Sequence, residues 1–418
     1  MLVDNRAIKN RIIAFFALFF IPVLGFFIST LSLDRRNNNN YNYIIISAFF
    51  FVVFCSVPAF SDLFRHYQEY EFISESASIT DILVGHFDII LPLSLYFIKI
   101  LGIPFYFIPA LYVSISIYLV LKTTQFIISV SKCSITNNAF IAIHIISILL
   151  APFFVIALGL RFGLACFIAL YSCSLFSLGG MKNSLFIMLA ALSILTHFFA
   201  VAIIAPAVLN RFFVINKRTA VIIAIIVFIF SGFLLKTIVS NITFLNFNSY
   251  ADVYLSGVFG DLENKNVNGL VNYYLQFTPV FLFLYKYLKL KANERSGIAS
   301  LSGWALITLA ASSAAPIAVG RYALPVTYFL FFSYIYHSSF SIRLRDIYLT
   351  IALTYVSLFS FFENGYIQRR PIILGTMWQA LYEPPLIRVS IMNDIFYDNI
   401  KYINPENGEW FGHETDGA

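Results

Sequence analysis

The fold is decided by the stretch Tyr43–Tyr70, which reads YIIISAFFFVVFCSVPAFSDLFRHYQEY. Residues 43–60 are apolar almost throughout, and a helix of this length approaches the thickness of the hydrocarbon core of a bilayer. Residues 61–70 then bring together two acids, an arginine, a histidine and two tyrosines. The pattern predicts a membrane-spanning helix that is followed at once by a polar helix at the membrane boundary.

The polar part of this stretch has the spacing of a helix with one charged face. Its ionisable side chains recur at intervals of three and four residues, which places them on one side of a helix: Asp62, Arg65, His66 and Glu69. Ser61 suits the N-cap, and Asp62 suits the first turn. Two interpretations remain open, a solvated interfacial helix with internal ion pairs and a site that handles a charged, sugar-like substrate.

The composition predicts an all-α protein, a polytopic bundle of membrane-spanning helices. The chain has 418 residues, of which 60% are hydrophobic and only 11% are charged, and its mean hydropathy is +0.82. Apolar runs of spanning length recur along it and predict about 11 to 13 spans. Because no polar linker divides these runs, we expect a single transmembrane domain over residues 1–362, followed by a polar tail over residues 363–418.

The charge distribution predicts the orientation of the spans. The net charge is +6, and much of the basic charge lies in short loops, which indicates a cytoplasmic side rather than a nucleic-acid partner. Acidic loops at about 61–88 and 236–270, together with the tail, are expected on the outer face. A first span over Ile12–Leu31 would then place the basic N-terminus outside, in conflict with the same rule.

Two apolar segments have no single interpretation. Residues 89–101 are short and contain Pro92, so they are read as a re-entrant or tilted segment. Residues 184–209 are interrupted by His197 and Pro206, and they fit either one long helix or two broken halves.

Isolated charges within the apolar runs are the strongest candidates for function, because ionisable groups at membrane depth are costly. Arg161 stands between ALGL and FGLA, Arg321 stands between two apolar segments, and His197 lies in the middle of a run. Together with Arg65, both arginines are expected at the outer face, where the arginine fork would suit phosphate oxygens. The alternatives are snorkelling of each arginine to the interface and a packing role for His197.

Several sequence motifs of metal- or nucleotide-dependent enzymes are missing. The chain contains no P-loop, HExxH, GxSxG or DxD sequence, and Asp81, His86 and Asp88 are not spaced like metal ligands. We therefore expect no metal and no cofactor. A reaction with a diphosphate leaving group fits this expectation, since cations can stabilise the charge that develops on it.

The order of these features resembles a known family. Asp62-x-x-Arg65-His66-Tyr67, an acidic outer loop, Arg161-Phe-Gly-Leu-Ala, His197 and Gly320-Arg321-Tyr322 follow one another as in the EpsG-like and Wzy-type polysaccharide polymerases of bacterial inner membranes. The resemblance covers roughly residues 43–340.

The resemblance implies a glycosyltransferase-C-like bundle in the inner membrane with an active site that faces the periplasm. The implied substrates are oligosaccharides on undecaprenyl diphosphate, with the bilayer and a separate chain-length regulator as partners. Arg161 and Arg321 would bind the diphosphate with help from Arg65. The general base would be Asp62 or Glu69, or else His66 or His197, and three tyrosines would stack on sugars: Tyr67, Tyr70 and Tyr250.

Other functions predict different features. A flippase or other transporter of lipid-linked oligosaccharides should have duplicated halves, and this sequence has no convincing internal repeat. An O-antigen ligase would share the fold and the donor. A scaffold protein would leave the buried arginines without a purpose.

Overall fold

The computed structural model describes residues 5–60, 62–74, 78–83, 86–131, 135–241, 277–290, 296–314, 316–337, 377–405 and 408. The all-α prediction is confirmed, since the regular elements in these ranges are helices and none of them is a β-strand. The helices in chain order are α1 Asn5–Phe20, α2 Pro22–Leu31, α3 Asn40–Phe54, α4 Asp62–Phe72, α5 Ile79–Leu83, α6 Ile90–Ile100, α7 Phe107–Val130, α8 Asn137–Leu149, α9 Phe153–Leu158, α10 Arg161–Ser177, α11 Asn183–Thr196, α12 Ala200–Phe212, α13 Lys217–Asn241, α14 Thr278–Leu288, α15 Gly297–Ala311, α16 Pro316–His337 and α17 Pro385–Ile400.

Some predictions fall on residues outside these ranges. They are the N-cap at Ser61, most of the loop at 236–270 with Tyr250, the end of the predicted transmembrane domain at 347–362 and the first part of the tail.

Residues 12–31 were predicted to form one membrane-spanning helix, and this prediction was wrong. They belong to a hairpin of two short helices, α1 and α2. Ile21 is extended (φ −144°, ψ 90°) and Pro22 opens α2, so the chain turns between α1 and α2. The two helices pack so closely that a Cβ on Gly25 would lie 2.7 Å from the Cα of Leu18. Arg11 Nη2 donates to the carbonyl oxygen of Asn38 at 2.6 Å, so the start of α1 and the end of the α2–α3 link lie at the same end of the hairpin.

The interrupted run at 184–209 also folds back on itself, and of the two alternatives the broken one is observed. Helix α11 runs antiparallel to α10, with Ser193 Oγ donating to the carbonyl oxygen of Ala165 at 2.7 Å. The chain becomes extended at His197 (φ −158°, ψ 121°), and α12 then returns along α10. This turn places His197 at the end of the bundle where α10 begins.

Helix α6 keeps both of its ends at that same end of the bundle. Asp88, just before α6, contacts Arg161 at the start of α10, and Lys99, in its last turn, lies 3.7 Å from Glu71 of α4. The segment at 89–101 therefore does not cross the bundle.

The two ends of the bundle differ in charge. We call one the basic end, which carries Arg11, Lys122, Lys182, Arg211, Lys217 and Lys286. We call the other the site end, where α4, α6, the start of α10 and the α11–α12 turn meet. Among the described acidic residues Asp34 lies near the basic end, and the rest belong to elements at the site end.

Polar side chains join the helices inside the bundle. Tyr328 Oη donates to the carbonyl oxygen of Ser147 at 2.7 Å, and Ser302 Oγ donates to that of Phe329 at 2.7 Å. The Tyr43 hydroxyl meets His144 Nε2 at 2.8 Å, and both side chains are fully buried. Such bonds satisfy polar groups that would otherwise be costly in an apolar interior.

The outer surface of the bundle is apolar. Large side chains on α1, α11 and α13 are more than half exposed, among them Phe20, Ile187 and Ile229. By length and composition one described helix, Phe107–Val130, could cross a membrane, and several shorter apolar helices have between 10 and 17 residues.

The described part of the tail, Met377–Pro405, packs on the site end. Arg388 of α17 is fully buried, and its Nε donates to Ser56 Oγ at 3.2 Å while its Nη1 lies 3.3 Å from Glu383 Oε2. Phe396 packs against Tyr67 of α4. The tail therefore fixes α4 against the end of α3.

Candidate active site

The centre of the site is Asp88, in the link between α5 and α6. Arg161 Nη1 donates to Asp88 Oδ2 at 3.1 Å, and the backbone N–H of Phe198 donates to Oδ1 at 2.9 Å. His197 Nδ1 lies 3.2 Å from Oδ2, at ion-pair distance but without the alignment of a hydrogen bond. The Asp88 side chain is only 10% exposed, so these contacts replace most of its hydration.

Arg161 reaches this place because the chain turns sharply before α10. Leu160 is fully buried and has a positive φ of 27°, unusual for a residue with a branched side chain. The next helix also packs tightly on α9, since a Cβ on Gly163 would lie 2.8 Å from the Cα of Ile156. Glycine at this position allows the start of α10, and with it Arg161, to approach α9.

Arg321 enters the site from α16. The helix begins at Pro316, so Arg321 lies in its second turn rather than in a link between two apolar segments. The guanidinium lies 5.8 Å from the ring centre of Phe162 and 5.7 Å from that of Phe199, which is cation–π distance. Burial and the charges of Arg321 and Arg161 outweigh the contact with Asp88 and lower the pKa of His197, so its imidazole is neutral at neutral pH and shares one site with the two guanidinium groups.

The surroundings keep Asp88 charged. Burial raises the pKa of this carboxyl, but contact with His197, the Phe198 N–H and the charge of Arg161 outweigh burial, and the pKa is held below its ordinary value. Asp88 is therefore a carboxylate at neutral pH and the counter-ion of Arg161.

Helix α4 forms a second charged group beside the first. Arg65 Nη2 lies 2.7 Å from Asp62 Oδ1 on the exposed side of the helix, as the spacing predicted. His66 is 1% exposed, and its Nδ1 lies 2.8 Å from Glu69 Oε2. Burial raises the pKa of Glu69. The hydrogen bond to His66 and the electrostatic interactions with His66, Arg65 and Arg161 outweigh burial, so the pKa of Glu69 lies below its ordinary value. Glu69 thus connects α4 electrostatically to Arg161.

The structure contradicts the predicted sugar-stacking role of the described tyrosines. Tyr67 packs edge-on against Phe105 and Phe396, and it is 8% exposed. Tyr70 is 6% exposed, donates to the carbonyl oxygen of Ile103 and carries Lys99 over its ring at 4.4 Å. These rings stabilise the packing of α4 and offer no open face to a ligand. The prediction failed because an aromatic side chain of an amphipathic helix can pack in the core as readily as it can bind a ligand.

The structure thus brings together three of the predicted residues, Arg161, His197 and Arg321, with Glu69 and His66 beside them. Arg65 instead remains with Asp62 on the exposed surface of α4. Sequence reasoning missed Asp88 as their partner and considered it only as a metal ligand. A signal was available, since Asp88 directly precedes an apolar run and two isolated arginines in an apolar chain need a counter-ion.

The three residues considered as metal ligands do not form a group. Asp81 is exposed and bonds to Ser78, while Asp88 is taken up by Arg161 and His197. Within the described ranges, no three or more His, Cys, Asp or Glu side chains are arranged to hold a metal ion.

Comparison with known proteins gives no further assignment: no family model, no curated protein and no solved structure matches this chain.

Proposed function

We propose that the chain is a polytopic inner-membrane glycosyltransferase that polymerises lipid-linked oligosaccharides at the periplasmic face, in the manner of the EpsG-like and Wzy-type polymerases. One observation carries the proposal. Arg161, His197 and Arg321 come from distant parts of an apolar chain, and they meet in a single site at the acid-rich end of the bundle. Separate snorkelling of each arginine would not bring them together.

The charge difference between the two ends supports a membrane orientation. Cytoplasmic ends of membrane proteins are enriched in lysine and arginine, and the basic end has this composition. The α1–α2 hairpin removes the earlier conflict, because a hairpin returns the N-terminus to the side of Arg35 and Arg36. The apolar side chains exposed around the bundle would contact lipid. The site end would then face the periplasm.

The cations match a diphosphate that joins a sugar to a lipid. Such a diester carries two negative charges at neutral pH, and Arg161 and Arg321 carry two fixed positive charges. Arginine binds phosphate oxygens through two parallel N–H groups, and the backbone N–H of Phe198 offers another donor. Three apolar elements, α10, α12 and α16, hold these groups in place.

The proposed reaction transfers a glycan from one carrier to another. A hydroxyl oxygen of the incoming lipid-linked unit attacks the anomeric carbon of the growing chain, whose bond to the diphosphate oxygen breaks. Undecaprenyl diphosphate leaves with the bonding electrons, and the hydroxyl proton passes to a base. Arg161, Arg321 and His197 stabilise the charge that develops on the leaving group.

We assign the base to Glu69. Glu69 on α4 is coupled electrostatically to Arg161, and its contact with buried His66 fixes its orientation. Its low pKa makes it a weak base. A weak base is sufficient because diphosphate leaves readily and the attacking hydroxyl becomes acidic as its bond to carbon forms.

The glycans of a deletion strain test this function. Loss of a polymerase leaves single repeat units on their final acceptor, whereas loss of a ligase leaves polymer on the lipid carrier. Loss of a flippase leaves single units on the cytoplasmic side. We expect the first pattern, restored to full-length polymer by the wild-type chain. Unchanged polymer, or either of the other two patterns, would refute the proposal.

A further inference from the structure

The cations of the candidate site already hold an anion that belongs to the chain itself. The carboxylate of Asp88 accepts hydrogen bonds from the Arg161 guanidinium and the Phe198 N–H, and it lies 3.2 Å from the His197 ring nitrogen. A guanidinium, an imidazole and a backbone N–H are also the groups that bind phosphate oxygens in proteins. Asp88 therefore occupies the position that suits a phosphate.

The backbone around Asp88 favours an anion as well. Helix α10 begins at Arg161, and α12 begins at Ala200, two residues after Phe198. The N-terminus of a helix carries partial positive charge and N–H groups without intrahelical partners. Two helix N-termini and the Arg161 guanidinium thus adjoin the carboxylate of Asp88.

We propose that Asp88 is a placeholder for the diphosphate of the substrate: it holds Arg161 and His197 in position in the empty site and is displaced when the diphosphate binds. This inference rests on the proposed function and identifies Asp88 as a positioning residue. A placeholder is useful because an unpaired guanidinium in a buried site is costly and would turn away to find solvent.

The charges require that Asp88 leave. With Asp88 in place, the charge of Arg161 is neutralised within the protein. A diphosphate at the same position would be repelled by the carboxylate, and it can use both arginines only after Asp88 has moved away. Asp88 belongs to no helix, so its displacement breaks no helical hydrogen bond.

The test measures the affinity of the purified full-length protein in detergent for inorganic pyrophosphate and for farnesyl diphosphate, by isothermal titration calorimetry. Asp88→Asn keeps the shape of the side chain but removes its charge, and we expect both ligands to bind about fivefold to tenfold more tightly, the usual size of a partly buried charge effect. Asp88→Glu keeps the charge and should stay within about twofold of the wild type. Asp81→Asn, the same charge change on exposed α5, is the matched control and should leave both affinities unchanged.

The result that refutes the placeholder role of Asp88 differs from the result that refutes the diphosphate site. If the wild type binds and Asp88→Asn binds equally or more weakly, Asp88 is only a structural partner of Arg161 and the placeholder is refuted, while the diphosphate site stands. If neither protein binds either ligand, the diphosphate site fails as well. Asp88→Ser replaces Asp88→Asn if the latter is not monodisperse, and the same tightening is expected.

Discussion

At the scale of single residues, Arg161 carries the largest expected effect. Replacing it with alanine removes a bidentate phosphate donor and also leaves buried Asp88 with one cation fewer. We expect Arg161→Ala to lower polymer formation by at least about 100-fold, as the loss of one transition-state donor does in other enzymes. Polymer length in the complemented deletion strain measures this, and single capped units should remain.

Two variants control for charge and for folding. Arg161→Lys keeps the charge but not the fork, so it should restore little polymer. Arg211→Ala removes an exposed arginine at the basic end, where we expect no effect. Full-length polymer in Arg161→Ala cells with normal protein levels would rule out the role.

Glu69 gives a pH-dependent prediction. Its pKa in the folded protein lies below the ordinary 4.5, so its contribution to stability is complete above that value and is lost as the pH falls through the lowered pKa. The melting temperature of the wild type should exceed that of Glu69→Gln by about 1 to 3 °C at pH 6. The difference should disappear near pH 3. Asp394→Asn, which removes an exposed carboxylate on α17, is the control, and a difference that grows on acidification would contradict the assignment.

Sequence reasoning found the cations of the site but not their arrangement. Arg161, His197 and Arg321 were recognisable because each interrupts an apolar run, which is a property of the sequence alone. The contacts of Arg161 and His197 with Asp88 depend on the turn at Leu160 and the break at His197, and neither follows from composition. The prediction that the tyrosines of α4 bind sugars failed, because helical periodicity and composition do not show which face of an amphipathic helix is covered by another segment.

At the scale of elements, the sequence predicted where helices occur better than whether each helix runs from one end of the bundle to the other. Helices α3 and α4 lie where the apolar and the charged parts of residues 43–70 predicted them. Residues 12–31 had the length of one span, but an extended Ile21 before Pro22 and the small side chain of Gly25 allow two short helices to fold together. A twenty-residue apolar run fits either form, since hydropathy alone does not record a turn.

The hairpin makes a prediction about topology. Single cysteines introduced at Lys9 and Arg36 should both react with a membrane-impermeant maleimide only after the cells are lysed, because the hairpin places them on one side. A cysteine at Arg65, on the exposed face of α4, should react in intact spheroplasts. The native cysteines in the described ranges are buried and should contribute little background. If the cysteine at position 9 reacts in intact spheroplasts while the cysteine at position 36 is protected, residues 12–31 cross the membrane once and the hairpin is contradicted.

At the scale of the whole molecule, charge and packing support one organisation. Most of the described lysines and arginines lie at the basic end. The site end holds nearly all the described acids, the cluster of Arg161, His197 and Arg321, and the tail segment at residues 377–405. The tail was expected on the outer face from its polarity alone. Its contact with α4 through Phe396 and its anchor at Ser56 through Arg388 could not have been read from the sequence, because both join residues more than three hundred positions apart.

The most direct test of the central claim is the reaction of the purified protein. Lipid-linked repeat units are extracted from the deletion strain, incubated with the protein in detergent without added metal, and analysed by mass spectrometry. We expect glycans that grow by whole repeat units on the lipid carrier, with one undecaprenyl diphosphate released for each unit joined, and no growth with Arg161→Ala. Recovery of unchanged single units with the wild-type protein, under conditions where it remains folded and binds the substrate, would contradict the account.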